Sequence, residues 1–231
     1  MSEPRELRQG RFTRPPGATE LLLVRHGESA AFHEGAEFPL VDGHGDPPLH
    51  PEGRRQAGLL ADRLQHDDIT AIYVSPLQRT HQTAAPLAER LGVTPIVEPD
   101  LCEVHLGEWE GGAVRKHMAE GHPVAQQLHA EQRWDVIPGA EPAELFRERA
   151  KRAITTIAAR HRDECVVVVS HGAIMGQILA LATGSQPFAF NGSDNASISQ
   201  LVVVGERWMV RRFNDTAHLG TGLTVRAQPL T

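Results

Sequence analysis

The chain has 231 residues, 40% hydrophobic and 23% charged, enough for one sizeable core or a core with a small cap. A formal net charge of −6 supplies no general basic face, which argues against a nucleic-acid binder while leaving room for a local anion pocket. No run reaches the ~18–20 apolar residues of a membrane span, and Cys102 and Cys165 are too few for a disulfide framework. The expectation is a reduced, soluble, cytoplasmic protein with no membrane or nucleic-acid partner; a homodimer is left open.

Residues 1–19 contain Arg5, Arg8, Arg11 and Arg14 among Pro4, Pro15 and Pro16, with no apolar signal core. They read as a flexible amino-terminal tail before a domain over 20–231. The first element is Leu21-Leu22-Leu23-Val24-Arg25, an apolar run without helical alternation that stops at His26-Gly27. Such a run suits a buried strand of a parallel sheet ending in a tight turn. Residues 30–48, rich in Gly and Pro, read as a long functional loop.

Over 51–65, Ala57, Leu60, Ala61 and Leu64 form a helical stripe behind Pro51, with His50 a poor cap. A second buried strand follows at 69–74. Ser75 as cap and Pro76 at the first position then open a helix running to Leu91, with Arg79 in its first turn, Pro86 as a kink and Gly92 as terminator. Residues 94–98 are a short strand candidate.

Residues 99–140 break the alternation with several glycines and prolines plus Trp109 and Trp134. They read as a helical cap over the sheet edge, with the tryptophans in the cap core. A helix at 141–161, a strand at 165–170 ending in Ser170-His171-Gly172, and a helix at 173–183 follow. A hairpin of Ser197–Val204 and Arg207–Phe213 closes the chain. The sum is an α/β fold: a three-layer α/β/α sandwich, mostly parallel, with an antiparallel edge and a helical cap insertion.

Two histidines thus leave strands at the edge where parallel sheets bind their ligands. With Arg25 and Arg79 they suggest an oxyanion pocket. A phosphate monoester is a dianion near neutral pH, and cleaving it needs charge neutralisation, a nucleophile and an acid for the leaving oxygen. Arg25 and Arg79 have the planar fork that matches phosphoryl oxygens. A neutral His26 is a nucleophile near pH 7, and His171 as imidazolium would hold equatorial charge. Backbone amides of Gly172 and Ala173, at a helix start, would add donors. The acid stays open among Glu28, Glu103, Glu108 and Glu110, with burial under the cap favouring a protonated Glu103.

His33, His44 and His50 lack zinc-motif spacing and read as loop histidines. His105, His117, His122 and His129 belong to the cap without an assigned role. Asn195 and His218 read as hydrogen-bonded structural residues.

Arg25-His26-Gly27-Glu28-Ser29, Ser75-Pro76-Leu77-Gln78-Arg79-Thr80, the Glu103–Gly111 segment and Ser170-His171-Gly172 together resemble the histidine phosphatase superfamily, the phosphoglycerate mutase-like proteins. The resemblance covers roughly residues 20–219 in matching motif order. It implies that His26 becomes phosphorylated, that Glu103 is the proton donor and acceptor, and that Arg25, Arg79 and His171 bind phosphate, with no metal or cofactor. Ser29 and Phe32 fall on the substrate side. Mutases of the superfamily resemble Arg-His-Gly-Glu-Ser-x-Trp-Asn, whereas this chain has Ala31 and Phe32 at the last two places. Phe32 in place of Asn implies an apolar wall. Leu106-Gly107-Glu108-Trp109-Glu110-Gly111 is closer to broad-specificity phosphatases. The expected activity is hydrolysis of small phosphate monoesters through a phosphohistidine; the alternatives are a phosphoglycerate mutase-type phosphotransferase or a silent phospho-ligand-binding protein.

Overall fold

The computed structural model describes residues 8–220 and 222. Its centre is strand β1 (Thr19–Arg25), followed by a small hairpin, β2 (Leu40–Val41) and β3 (His44–Gly45). Then come α1 (Pro51–Leu64), β4 (Ile69–Val74), α2 (Gln78–Leu91) and the short β5 (Ile96–Val97). The cap follows as two 3₁₀ turns (Pro99–Leu101 and Gly107–Gly112), α3 (Ala113–Ala119), α4 (Pro123–Glu131) and a third turn (Trp134–Val136). The chain finishes with α5 (Ala143–Arg160), β6 (Cys165–Ser170), α6 (Gly172–Thr183), β7 (Ile198–Val204), β8 (Arg207–Asp215) and a last 3₁₀ turn (Ala217–Leu219).

The main sheet has the order β5-β4-β6-β1-β7-β8. The four strands β5, β4, β6 and β1 are parallel, and β7 and β8 add the antiparallel edge. The unbroken apolar run Leu21–Val24 in β1 is needed because both faces of the sheet are covered. Leu21 and Leu23 pack with Ile154 and Ile157 of α5 and Ile178 of α6 on one face. Leu22 and Val24 pack with Leu60 and Leu64 of α1 and Leu87 of α2 on the other. The period of two along the strand therefore divides its side chains between two layers of helix. A separate small core of Trp109, Ala125, Leu128 and Ile137 holds the cap together.

Several local expectations are corrected. Of the expected tail, residues 1–7 lie outside the described residues, as do 221 and 223–231 of the expected domain. The tail does not reach residue 19: Ala18 and Thr19 are buried, and Thr19 Oγ1 donates to the Ala158 and His161 carbonyls at 2.9 and 2.8 Å. His50 does cap α1, its Nδ1 accepting from Glu52 N–H at 3.2 Å, because an imidazole lone pair reaches the same donor that Ser or Asp would. Ser75 is no helix cap. Helix α2 begins two residues after Pro76, with Leu77 at the cap position, and runs through Pro86 to Leu91. The strand expected over 94–98 shrinks to two exposed residues at the sheet edge. The 30–48 loop contains the β2–β3 hairpin, two pairs too short for a periodic signal.

Candidate active site

β1 and β6 run side by side and end together, Arg25 paired with Ser170. His26 and His171 follow directly, their ring centroids 5.2 Å apart at 63°. The main chain of His26 is fixed on both sides: its N–H donates to Ser170 O at 2.9 Å, and its carbonyl accepts from Ala196 N–H and Asn195 Nδ2. Gly27 N–H donates to Thr83 Oγ1 at 3.0 Å. Here the loop rests on the first turn of α1. A Cβ on Gly27 would lie 2.5 Å from Gly53 O, and one on Gly53 would lie 2.0 Å from Glu28 O, so only glycine allows this backbone contact.

His26 Nδ1 lies 2.7 Å from the Gly27 carbonyl, an acceptor only, so Nδ1 carries the proton and Nε2 keeps its lone pair. Burial, then the charges of Arg79 and Arg25, hold the His26 pKa well below its ordinary value, so the ring is neutral near pH 7. Arg25 Nη1 donates to the Ser193 carbonyl. Arg79 donates from Nη1 to Gly45 O at 2.8 Å, with the Asp46 carboxylate 3.9 Å away.

His171 differs from the expected imidazolium. It is fully buried, and desolvation followed by the Arg79 charge lowers its pKa well below the ordinary value. Its Nδ1 accepts from Arg79 Nε at 3.2 Å, which places the proton on Nε2, where Ser75 Oγ accepts at 2.8 Å. The neutral ring therefore aims the Arg79 guanidinium and is itself anchored by Ser75.

The backbone amides at the start of α6 are also not free as expected. Ala173 N–H and Ile174 N–H donate to the two oxygens of Glu103, each at 3.1 Å, and Val104 N–H adds a third bond at 2.9 Å. The helix start is thus used to hold a carboxylate of the cap segment beside the anion site. Gly172 sits against Arg25, a Cβ there lying 3.5 Å from Nε. Neither Gly172 nor Ala173 lines the cavity.

The cavity above these groups has a volume of about 790 Å³. Arg25, His26, Arg79, Glu103 and Asn195 form its floor. Among the other acid candidates, Glu110 is taken up by Leu106 N–H and Gly45 N–H at 2.8 and 2.7 Å, and Glu28 faces His50 at 3.8 Å. Glu108 is exposed and outside the lining. The wall contains Ser29 and Phe32, the latter edge-to-face with Phe38 at 5.9 Å. Trp109 belongs to both the cap core and the wall, whereas Trp134 packs half-buried on Phe188. His44 also reaches the cavity, its ring 5.1 Å from His105. His117 and His122 pack around Trp109. His218 lies against Arg63, its Nδ1 3.2 Å from Nη1. Both cysteines are free thiols; burial pushes Cys102 up to about 11 and Cys165 up to about 12. They are protonated at neutral pH and are not nucleophiles.

Several lining residues, Arg115, Lys116 and Phe38 among them, carried no signal in the sequence. Arg115, on α3, donates from Nη2 to Ser29 Oγ at 2.7 Å and from Nη1 to Ala30 O at 2.6 Å. It belongs to no motif, and its place depends on how the cap folds down.

A model of the histidine phosphatase superfamily (branch 1) matches residues 21–216. The chain belongs to the histidine phosphatase superfamily. It is similar to Phosphoserine phosphatase 1 of Hydrogenobacter thermophilus, with 34% identity over 205 residues covering 87% of this chain and 94% of that one. A metal-independent phosphoserine phosphatase of Arabidopsis thaliana is 31% identical over 207 residues, 88% of this chain and 84% of that one. Among solved structures, mycobacterial glucosyl-3-phosphoglycerate phosphatase superposes with a TM-score of 0.71 at 27% identity, covering 86% of this chain and all of that one. A phosphoglycerate mutase of Bacillus anthracis shares the fold, with a TM-score of 0.75 at 22% identity over 89% of this chain and 96% of that one. This member of the superfamily is an enzyme of the phosphatase type. Among its described residues, no helix is long and apolar enough to cross a membrane, and no group of three or more His, Cys, Asp or Glu is placed to hold a metal.

Proposed function

We propose that this chain hydrolyses small phosphate monoesters without a metal, through a phosphohistidine on His26, in the cytoplasm. The observation that carries the reading is the tautomer of His26: with the proton on Nδ1 and donated to Gly27 O, the Nε2 lone pair is free among guanidiniums. In the first step that lone pair forms an N–P bond as the ester P–O bond breaks. The departing oxygen takes its proton from the Glu103 carboxyl. Arg25 and Arg79 neutralise the phosphoryl oxygens, the second held in place by His171. In the second step the Glu103 carboxylate takes a proton from water, whose oxygen forms a new P–O bond while the P–N bond breaks. Inorganic phosphate leaves, and His26 and Glu103 return to their starting states.

Glu103 can keep its three backbone N–H bonds in both steps. A carboxylate accepts all three backbone N–H bonds, and a protonated carboxyl keeps acceptor lone pairs on both oxygens. Charge neutralisation that a metal ion supplies in other phosphatases falls here to guanidinium groups. The free thiols of Cys102 and Cys165 support a reducing compartment.

The test is phosphate release from p-nitrophenyl phosphate and a panel of metabolite esters, with a chelator present. Wild type should release phosphate undiminished, and His26→Ala should lose about 10³-fold or more while remaining folded. Chelator-sensitive activity, or activity that survives His26→Ala, contradicts the proposal. Relatives named as phosphoglycerate mutases favour a second reading, transfer to an acceptor hydroxyl. Isomerisation of phosphoglycerate without net phosphate release would select it.

A further inference from the structure

The hydrolytic scheme requires Arg25 and His26 to keep their aim, and a segment outside every helix and strand holds both. Residues 193–196 lie between α6 and β7. The Ser193 carbonyl accepts from Arg25 Nη1, and Asn195 Nδ2 donates to the His26 carbonyl at 2.9 Å. Ala196 N–H donates to the Arg25 and His26 carbonyls at 3.0 and 3.2 Å. With Glu103, the Asp194 carboxylate supports the charge of the desolvated Arg25 guanidinium. Downstream the segment runs into β7, with Ser197 N–H closing a turn on the Asp194 carbonyl at 3.1 Å. Upstream, residues 185–192 form no regular element, and their backbone bonds are short turns such as Ala189 N–H to Gln186 O. Asn214, near the end of β8, ties the segment to the antiparallel edge. Its Oδ1 accepts from Asp194 N–H at 2.7 Å, and its Nδ2 donates to Asp194 Oδ2 at 2.8 Å. One side chain thus clasps both the backbone and the carboxylate of Asp194. Asn214 is itself fixed. Its φ is 53°, a left-handed conformation that asparagine tolerates, and its N–H donates to Ser199 Oγ at 3.2 Å. The next residue, Asp215, is bound to Arg63 of α1 through two bonds of 2.9 and 2.5 Å.

We propose that Asn214 is a positioning residue for the hydrolysis: through its clasp on Asp194 it fixes residues 193–196, and so the aim of Arg25 and His26. This rests on the phosphatase reading above and extends it to a residue that does not line the cavity. The N–P bond forms only with Nε2 in line with the departing oxygen, and a misplacement of about 1 Å can cost about 10²-fold in rate. The His26 carbonyl is held by two donors of this segment and the Arg25 guanidinium by one of its acceptors, so a shift of the segment moves both groups together. The chemistry at 214 is specific. An amide offers an acceptor and a donor side by side, which answers the N–H and the carboxylate of Asp194 at once; a carboxylate there supplies only the acceptor. Without the clasp the segment keeps its continuity with β7 and loses its lateral support.

Three variants test the assignment: Asn214→Gly, Asn214→Asp and the reciprocal exchange Asp194→Asn/Asn214→Asp. The substrate is p-nitrophenyl phosphate, and the inhibitor is orthovanadate, a mimic of the five-coordinate transition state. Glycine accepts the backbone conformation at 214 and removes only the amide, whereas aspartate keeps the size and sets a carboxylate against Asp194. The exchange rebuilds both bonds of the clasp with the charge moved to residue 214. Each single variant should lower kcat/KM by about 10-fold and weaken orthovanadate inhibition by a similar factor, since both report the aim of the same groups. The exchange should bring both constants back to within about threefold of wild type. A clasp that served only the stability of the fold would reduce the active fraction, lowering Vmax with KM and the vanadate constant unchanged; that result overturns the assignment. Single variants with wild-type constants overturn it too, as does a loss that the exchange fails to recover. In each of these cases turnover by wild type leaves the phosphatase reading intact. No phosphate release by wild type would remove both.

Discussion

The floor and the wall of the cavity are built by different means. The floor groups are tied to the edge of the sheet: Arg25 ends β1 and His26 follows it, Arg79 opens α2, Glu103 is clasped by the first amides of α6, and Asn195 donates to the His26 carbonyl. The floor's members are held through the backbone and through side-chain bonds such as Arg79 to the buried His171. The wall comes from the 30–48 loop and the cap, which has its own small core around Trp109 and Leu128 and meets the floor through contacts such as Arg115 to Ser29. The difference separates tasks. A rigid floor fixes the chemistry common to all phosphate esters, and a separately cored wall can vary to choose the alcohol.

Substitutions on the two sides should therefore fail differently. After His26 itself, the largest effect is expected at Glu103. Glu103→Gln keeps the side chain's size but cannot give up a proton, so hydrolysis of alkyl phosphates should fall by about 10²–10⁴-fold. Aryl phosphates, whose leaving oxygens need less help, should fall less; kcat measured across a series of leaving groups reads the difference, and equal losses would remove Glu103 as the acid. Next is the glycine contact under the His26 loop. Gly53→Ala puts a methyl against Glu28 O, which the rigid floor cannot absorb, so stability should drop by about 1–3 kcal/mol and activity should fall for every substrate alike. Denaturant unfolding and kcat would show this together; a variant as active as wild type would contradict the tight docking.

A pH effect follows from the two buried histidines. Their folded-state pKa values are depressed from 6.5, so below that pH the unfolded chain binds protons that the folded chain does not. Stability from this source is fully present above pH 6.5 and is lost as the pH falls toward the folded-state values. Thermal midpoints should fall below pH 6.5, and the decline should be shallower in His171→Asn. Identical slopes in the two proteins would contradict a neutral His171. The smallest change is expected on the wall, where Phe32→Ala should raise KM by a few-fold with little change in kcat. A large loss of kcat would place Phe32 with the floor.

What could be read from the sequence divides along the same line. Arg25, His26 and Arg79 were legible because they sit at or just beyond the ends of buried strands whose apolar runs are unmistakable. Glu103 follows no such strand and was singled out only by the family resemblance, and Asn195 read as a structural residue although it lines the floor. The tautomer and charge of His171 were not legible, since they depend on Arg79 and Ser75, residues 92 and 96 positions away. Nor was the use of the Ala173 amide by Glu103, a contact across 70 residues. On the wall, Phe32 was visible only as a departure from a motif. Arg115 was invisible, because short helices packed by a four-residue core leave no periodic signal that says which face points inward.

The central claim is a covalent intermediate on His26. Rapid mixing of the enzyme with p-nitrophenyl phosphate, an alkaline quench and peptide mass mapping would test it directly. The account predicts a phosphoryl adduct on the His26 peptide that survives alkali, is lost in acid and is absent from His26→Ala. Turnover with no adduct, or with the phosphoryl group on another residue, would contradict it.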